Sequence, residues 1–223
     1  MKTTDTKQRT RKLAECAILI AMGTVLSLVK IPFPFGGSIT ALSMLPLVIL
    51  CVRHGMKWAF ASALIYSLLQ IVTGVSTVSA MFLPGDNQMI WYQAAIICLI
   101  DYVLAYTAIA SAALFVNGSM SKRLCKGAAL GLSLRYLCHI VSGAIFYGAW
   151  AEWFFGEGWA EDAGKLADTA SKIGAWFLDT FTNPAALSIT YSVVYNGLYM
   201  IPEIILTVVA AIFVGKIPYL SQK

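Results

Sequence analysis

Apolar residues along this chain come in long runs, separated by short turns rich in polar residues, proline or glycine. Cutting the sequence at those turns leaves six apolar segments, at roughly 13–29, 39–52, 58–74, 93–116, 127–150 and 187–214. Most of them reach or approach the ~20 residues that an α-helix needs to cross a bilayer. The second is short, which predicts a helix that is tilted or that sits low against its neighbours. The first is too long for a cleaved leader and has no small-residue cleavage site, so it reads as a span. The pattern predicts an all-α integral membrane protein of six transmembrane helices. No stretch repeats another at the level of residue identity. Residues 1–223 therefore read as a single membrane domain, without the half-sized repeats of larger transporters.

Outer connections are expected at about 30–38, 75–92 and 151–186. The last is unlike the others. Residues 152–186 form an extended extracellular connector between helices five and six, and 152–179 hold six of the chain's eleven acidic residues. Trp159, Ala163, Leu166, Ala170, Ile173, Ala175, Trp176 and Phe177 suit an amphipathic helix on the outer membrane surface. A solvated acidic loop with a helical turn or two fits the same composition. Asn183-Pro184 marks the start of the last span.

Of the 223 residues, 12% are charged and 59% hydrophobic, where soluble domains carry about 25% charged. The mean hydropathy is +0.75. The charges that remain are placed asymmetrically. Lys2, Lys7, Arg9, Arg11 and Lys12 make a basic tail at 1–12. Arg53 and Lys57 lie in the 52–57 turn, Lys122, Arg123 and Lys126 in the 117–126 turn, and Lys216 and Lys223 near the C-terminus. The opposite side holds Lys30, Lys165 and Lys172. The positive-inside rule then makes both termini and the 1–12 tail cytoplasmic (N-in/C-in), in agreement with an even number of spans. The net charge of +5 is thus an orientation signal toward membrane lipid, and no nucleic acid is expected as a partner. Cys16, Cys51, Cys98, Cys125 and Cys138 lie in or at the ends of apolar segments, without CxxC spacing or matched histidines. They read as small buried hydrophobes, with no metal site and no disulfide framework.

Ionisable residues at membrane depth are costly and mark a function or a structural pair. Arg135 falls about halfway along the fifth span, and His139 lies about 6 Å further out at 1.5 Å per residue. Ser142 and Phe146 continue the face of His139. Asp101, followed by Tyr102, falls near the midplane of the fourth span, and Glu203 in the inner half of the sixth. Arg135, Asp101 and Glu203 form a lower set that neutralises itself, and Arg135–Glu203 reads as a structural ion pair between spans five and six. His139, Tyr147, Trp150, Tyr191, Asn196 and Trp91 form an upper set. Flat aromatic faces with directional hydrogen bonds suit a planar heterocycle, and a nearby carboxylate suits a cationic one. Polar glue between helices and an interfacial aromatic belt are the competing readings, and the belt is adopted for Trp150, Trp153, Phe154 and Phe155. Ala14, Ala17 and Ala21 share one face of the first span, where another helix can approach closely. Spacing alone favours packing of that face inside the bundle over docking of another protein. Phosphate loops, HExxH and GxSxG are absent from the sequence, so no catalytic residue, motor or metal ligand is assigned.

Four stretches, "LRYLCHIVSGAIFYGAWA" (134–151), "YSVVYNGLYMIPE" (191–203), "LIDYVLAY" (99–106) and "GGSITALSMLPLVILCVRHG" (36–55), together resemble the thiamine-specific substrate-binding (S) subunits of energy-coupling factor transporters. The likeness takes in nearly all of the chain except the N-terminal tail and 152–186. It implies six helices around an outward-facing site, with no enzymatic activity and no cofactor. It also implies docking on a transmembrane coupling subunit and two ATPase subunits, which hydrolyse the ATP. Carried over by motif, the resemblance implies Asp101, Tyr102, His139, Tyr191 and Asn196 as thiamine-binding residues and Ala17 and Ala21 as the docking motif. Tyr147 stands where the family often has a tryptophan, and Trp91 joins the site from the upper set. The first outer loop, "FGGSIT", has no tryptophan, and the 152–186 insertion either caps the site or decorates the outside. The expected function is capture of thiamine from outside for ATP-driven uptake, with reorientation of the whole bundle. A thiamine precursor or another small heterocyclic vitamin is the alternative ligand. An intramembrane enzyme using Asp101, His139 and Arg135, and a structural subunit without ligand, are the rival classes.

Overall fold

The computed structural model describes residues 2–32, 38–40, 42–85, 88–161 and 163–221. Gly36 and Gly37 of the first outer loop, Asp162 and Lys223 lie outside the described residues. Helix α1 (Lys2–Leu28) is followed by a short antiparallel ribbon, β1 (Lys30–Pro32) with β2 (Ser38–Thr40), in which Ile31 pairs with Ile39. Helices α2 (Met44–His54), α3 (Met56–Thr73) and α4 (Val75–Phe82) come next. Helix α5 (Trp91–Leu114) is continuous but irregular. It is α-helical over Trp91–Ile97, π-helical over Cys98–Leu104 and 3-10 over Ala108–Leu114. Helix α6 is Met120–Phe146, α7 is Ala167–Thr180, α8 is Pro184–Val214 and α9 is Pro218–Ser221.

Local chemistry explains several boundaries. Ser119 caps α6 by accepting from the Lys122 amide. Asn183 caps α8 by accepting from Ala185 and Ala186, with Pro184 at the first helical position. Gly55, at φ 78°, supplies the left-handed turn that folds α3 back from α2.

Among the described residues, four helices, α3, α5, α6 and α8, are long and apolar enough to cross a membrane. Large apolar side chains such as Val72, Ile145 and Phe213 stay exposed on them, as a lipid-facing surface requires. The protein is a mostly helical, multi-pass membrane protein. The short second segment has a specific cause. All nine residues from Met44 to Val52 are buried, so α2 is enclosed on every side at the centre of the bundle and presents no lipid-facing stripe.

Two expectations are corrected here. Helix α1 packs inward through Cys16, Ile20, Gly23 and Ser27, and a Cβ on Gly23 would lie 2.9 Å from the Ser43 carbonyl oxygen. The face bearing Ala14, Ala17 and Ala21 is therefore exposed instead of packed inside the bundle, and exposed Ile18 and Met22 share it. Phe154 and Phe155 are not interfacial belt residues. They are 2% and 0% exposed, forming an aromatic core beneath α7, while Trp150 and Trp153 remain about half exposed.

Candidate functional site

Three helices converge on one cavity. Along α8, Tyr191, Tyr195 and Tyr199 recur every fourth residue and so share a face. Asn196, about a quarter-turn round, points toward α6 and donates from Nδ2 to the His139 carbonyl oxygen at 3.3 Å. The close approach of these helices depends on Gly143, where a Cβ would lie 2.2 Å from Ser192 Oγ. Helix α6 presents His139 and Gly143, with Tyr147 at its end, and the π-helical part of α5 presents Asp101 and Tyr102. Runs of π-helix are uncommon and concentrate at functional positions. Helix α4 closes one side with Thr77 and Met81, and Tyr147 Oη lies 3.7 Å from Met81 Sδ.

The cavity has a volume of about 360 Å³ and is lined by six tyrosines, at 102, 106, 147, 191, 195 and 199, together with Asp101, His139 and Asn196. That size lies toward the lower end of the ~300–1,000 Å³ typical of small-molecule sites. Asp101 is held from two directions. Its Oδ1 lies 2.9 Å from His139 Nδ1, and its Oδ2 accepts from Ser142 Oγ at 2.8 Å. A carboxylate only accepts, so Nδ1 carries the proton, and Nε2 is left as an acceptor on a neutral ring or a donor on a charged one. His139 Nε2 is buried and has no hydrogen-bond partner among the described residues. Leaving such an atom unsatisfied costs about 1–3 kcal/mol. A ligand group that meets it recovers that cost. The carboxamide of Asn196 is already engaged: Nδ2 also donates to Ser192 O at 2.8 Å, and Oδ1 accepts from Tyr199 Oη.

Below the cavity, Arg135 Nη1 lies 3.5 Å from Glu203 Oε1, with both side chains buried. Thr40 Oγ1, at the end of β2, donates to the same Glu203 oxygen at 2.8 Å. The Arg135 guanidinium also lies over the Tyr106 ring, 4.6 Å from its centroid, and Nη2 donates to Tyr106 Oη at 3.3 Å. Arg135 thus reaches the cavity floor through Tyr106.

Depth along the helices groups Asp101 with Arg135 and Glu203, yet the structure pairs Asp101 with His139 and Ser142. Asp101 lies within the π-helical stretch Cys98–Leu104, where side-chain spacing departs from that of an α-helix. Of the residues singled out from sequence, Asp101, Tyr102, His139, Tyr147, Tyr191 and Asn196 line the cavity together. Trp91 stands apart, 73% exposed at the start of α5 and edge-on to Tyr92. Tyr106, Tyr195 and Tyr199 also line the cavity and were not singled out as site residues. The four-residue spacing from Tyr191 was the available signal for the last two. Thr77 and Met81 carry no such signal, because they arrive from a separate helix.

A profile of the family described as Thiamine transporter protein (Thia_YuaJ) matches residues 13–156. Thiamine transporter ThiT of Bacillus subtilis (strain 168) is 27% identical over 154 residues, which are 63% of this chain and 72% of that protein. The solved structure of ThiT from Listeria monocytogenes is similar with a TM-score of 0.62 and 26% identity, over 96% of this chain and 98% of its own. The profile match begins in α1 and runs through α6, taking in Asp101, His139 and Tyr147, while the tyrosine face of α8 follows it. With that match across well over half of its length, the chain belongs to the thiamine transporter protein family.

Proposed function

We propose that this protein captures thiamine from outside the cell as the substrate-binding subunit of an ATP-driven energy-coupling transporter. The observation that carries the reading is the unpartnered His139 Nε2 beside the Asp101 carboxylate, in a cavity walled by tyrosines. Thiamine joins a flat aminopyrimidine to a flat, positively charged thiazolium. The tyrosine faces stack on both rings and attract the cation. Asp101 supplies the compensating charge, and His139 Nε2 supplies the directional hydrogen bond. Asn196 contributes by fixing His139 and Tyr199 through its own hydrogen bonds.

The assembly follows from the same reading. Helices α1 and α2 join the four long apolar helices to make six spans, with both termini on the cytoplasmic side. The exposed face of α1 at Ala17 and Ala21 is where the transmembrane coupling subunit docks, and two ATPase subunits drive the cycle. The basic 1–12 tail is cytoplasmic, its residues 2–12 being the first part of α1, and the 152–186 connector is extracellular. The family is one of transporters, and the protein performs no chemistry on its ligand. Tyr147, smaller than an indole, favours a thiamine precursor as the second reading of the ligand. Mass spectrometry of small molecules released from the purified protein tests both. Unmodified thiamine supports the first reading, a pyrimidine or thiazole precursor the second, and a turnover product refutes the receptor role.

A further inference from the structure

The segment that follows α6 does more than join two helices. Phe154 is 2% exposed and is not part of the cavity lining, yet it touches two side chains that are. Its ring meets Tyr191 at 5.2 Å between centroids and 70° between planes, and Tyr195 at 5.8 Å and 80°. Both are edge-to-face contacts, the geometry that the ring quadrupole favours. Behind Phe154, the Phe155 ring stacks on Phe177 of α7 at 4.6 Å. Helix α7 is seated closely on this turn: a Cβ on Gly174 would lie 1.8 Å from the Phe155 carbonyl oxygen. An unbroken line of packed groups therefore runs from α7 through Phe155 and Phe154 to the tyrosine wall of the cavity.

We infer that Phe154 is a positioning residue for thiamine: from outside the cavity it fixes the ring planes of Tyr191 and Tyr195, which makes the 151–181 connector part of the binding apparatus. The inference rests on the cavity being the thiamine site. A tyrosine ring that can turn about its Cβ–Cγ bond offers a flat cation its face only part of the time. Two edge contacts from one buried phenylalanine remove that freedom before the ligand arrives, and preorganisation of this kind appears as affinity. A decorative connector would leave affinity unchanged when Phe154 is altered.

The test uses the full-length protein in detergent, with thiamine as the titrant in calorimetry and thermal midpoints measured alongside. Phe154→Leu keeps an apolar filler but removes the aromatic edge. It is expected to lower the thermal midpoint by no more than a few degrees and to weaken thiamine binding at least threefold, and Phe154→Ala to weaken it roughly tenfold. In a Tyr195→Leu background the loss from Phe154→Leu should shrink, because one of the two rings it positions is gone. Parental affinity in Phe154→Leu, or losses that multiply in full with Tyr195→Leu, overturns the inference while leaving the thiamine site intact. A parent protein that does not bind thiamine refutes the functional reading, and the inference falls with it.

Discussion

Glu203→Gln separates bracing of the bundle from contact with the ligand. Glu203 is 2% exposed, and its Oε1 both faces Arg135 Nη1 at 3.5 Å and accepts from Thr40. The carboxamide preserves shape and an acceptor for Thr40 but removes the counter-charge of a buried guanidinium. Removing one partner of a buried pair costs about 3–5 kcal/mol. Arg135 keeps the Tyr106 hydroxyl at 3.3 Å and the Tyr106 ring at 4.6 Å. That cation–π contact is worth up to ~2 kcal/mol when desolvated, which places the expected loss at the lower end, about 3 kcal/mol. At roughly 2–4 °C per kcal/mol for a chain of this size, the thermal midpoint in detergent should fall by about 6–12 °C. Thiamine affinity should change much less, because Glu203 is not part of the cavity lining. Removing both charges together, as Arg135→Met with Glu203→Leu, should recover most of the lost stability, since a buried pair is replaceable by apolar groups of similar volume. Equal midpoints for Glu203→Gln and the parent refute the bracing argument. A large loss of affinity at unchanged stability also refutes it, and moves Glu203 into the site.

Further outcomes follow from the cavity and from α1. Asn196→Ala should weaken thiamine binding roughly tenfold in a calorimetric titration, by freeing Tyr199 and the His139 backbone rather than by removing a ligand contact. Asp101→Asn should lower affinity for thiamine far more than for an uncharged analogue of the same shape, and equal losses would contradict its role as counter-charge. Ala17→Trp with Ala21→Trp should abolish co-purification with the coupling module while leaving thiamine binding by the isolated subunit intact. Retained co-purification would refute docking at that face.

How much of this was readable from sequence depended on whether the relevant signal is local. Long apolar runs announce α3, α5, α6 and α8 because a lipid-facing helix needs nothing beyond its own residues. Helix α4 and β1 fall where the apolar pattern predicts outer connections, and β2 runs from the end of one connection into the start of the second apolar segment: the helix has eight residues and follows Gly74, and each strand has three, too short to leave a periodic signal. Polar residues inside apolar runs stood out, so Asp101, His139 and Asn196 were legible as candidates. Their partners were not. The Asp101–His139 pair joins a π-helical stretch of α5 to α6, and spacing along one helix does not encode a contact between two. Phe154 and Phe155 sit in an aromatic-rich stretch that has the composition of an interfacial belt. The seating of α7 on Phe155 at Gly174, together with the packing of Phe154 on Tyr191 and Tyr195 of α8, turns them into a core.

The central claim is that the Asp101–His139 pair in the tyrosine-lined cavity binds thiamine. Calorimetric titration of thiamine into the purified full-length protein and into His139→Ala, side by side, tests it most directly. The account predicts saturable one-to-one binding by the parent, weakened roughly ten- to hundredfold in the variant, as the loss of a charge-assisted hydrogen bond worth ~1.5–3 kcal/mol requires. Absence of binding by the parent, or equal affinity in the two proteins, would contradict it.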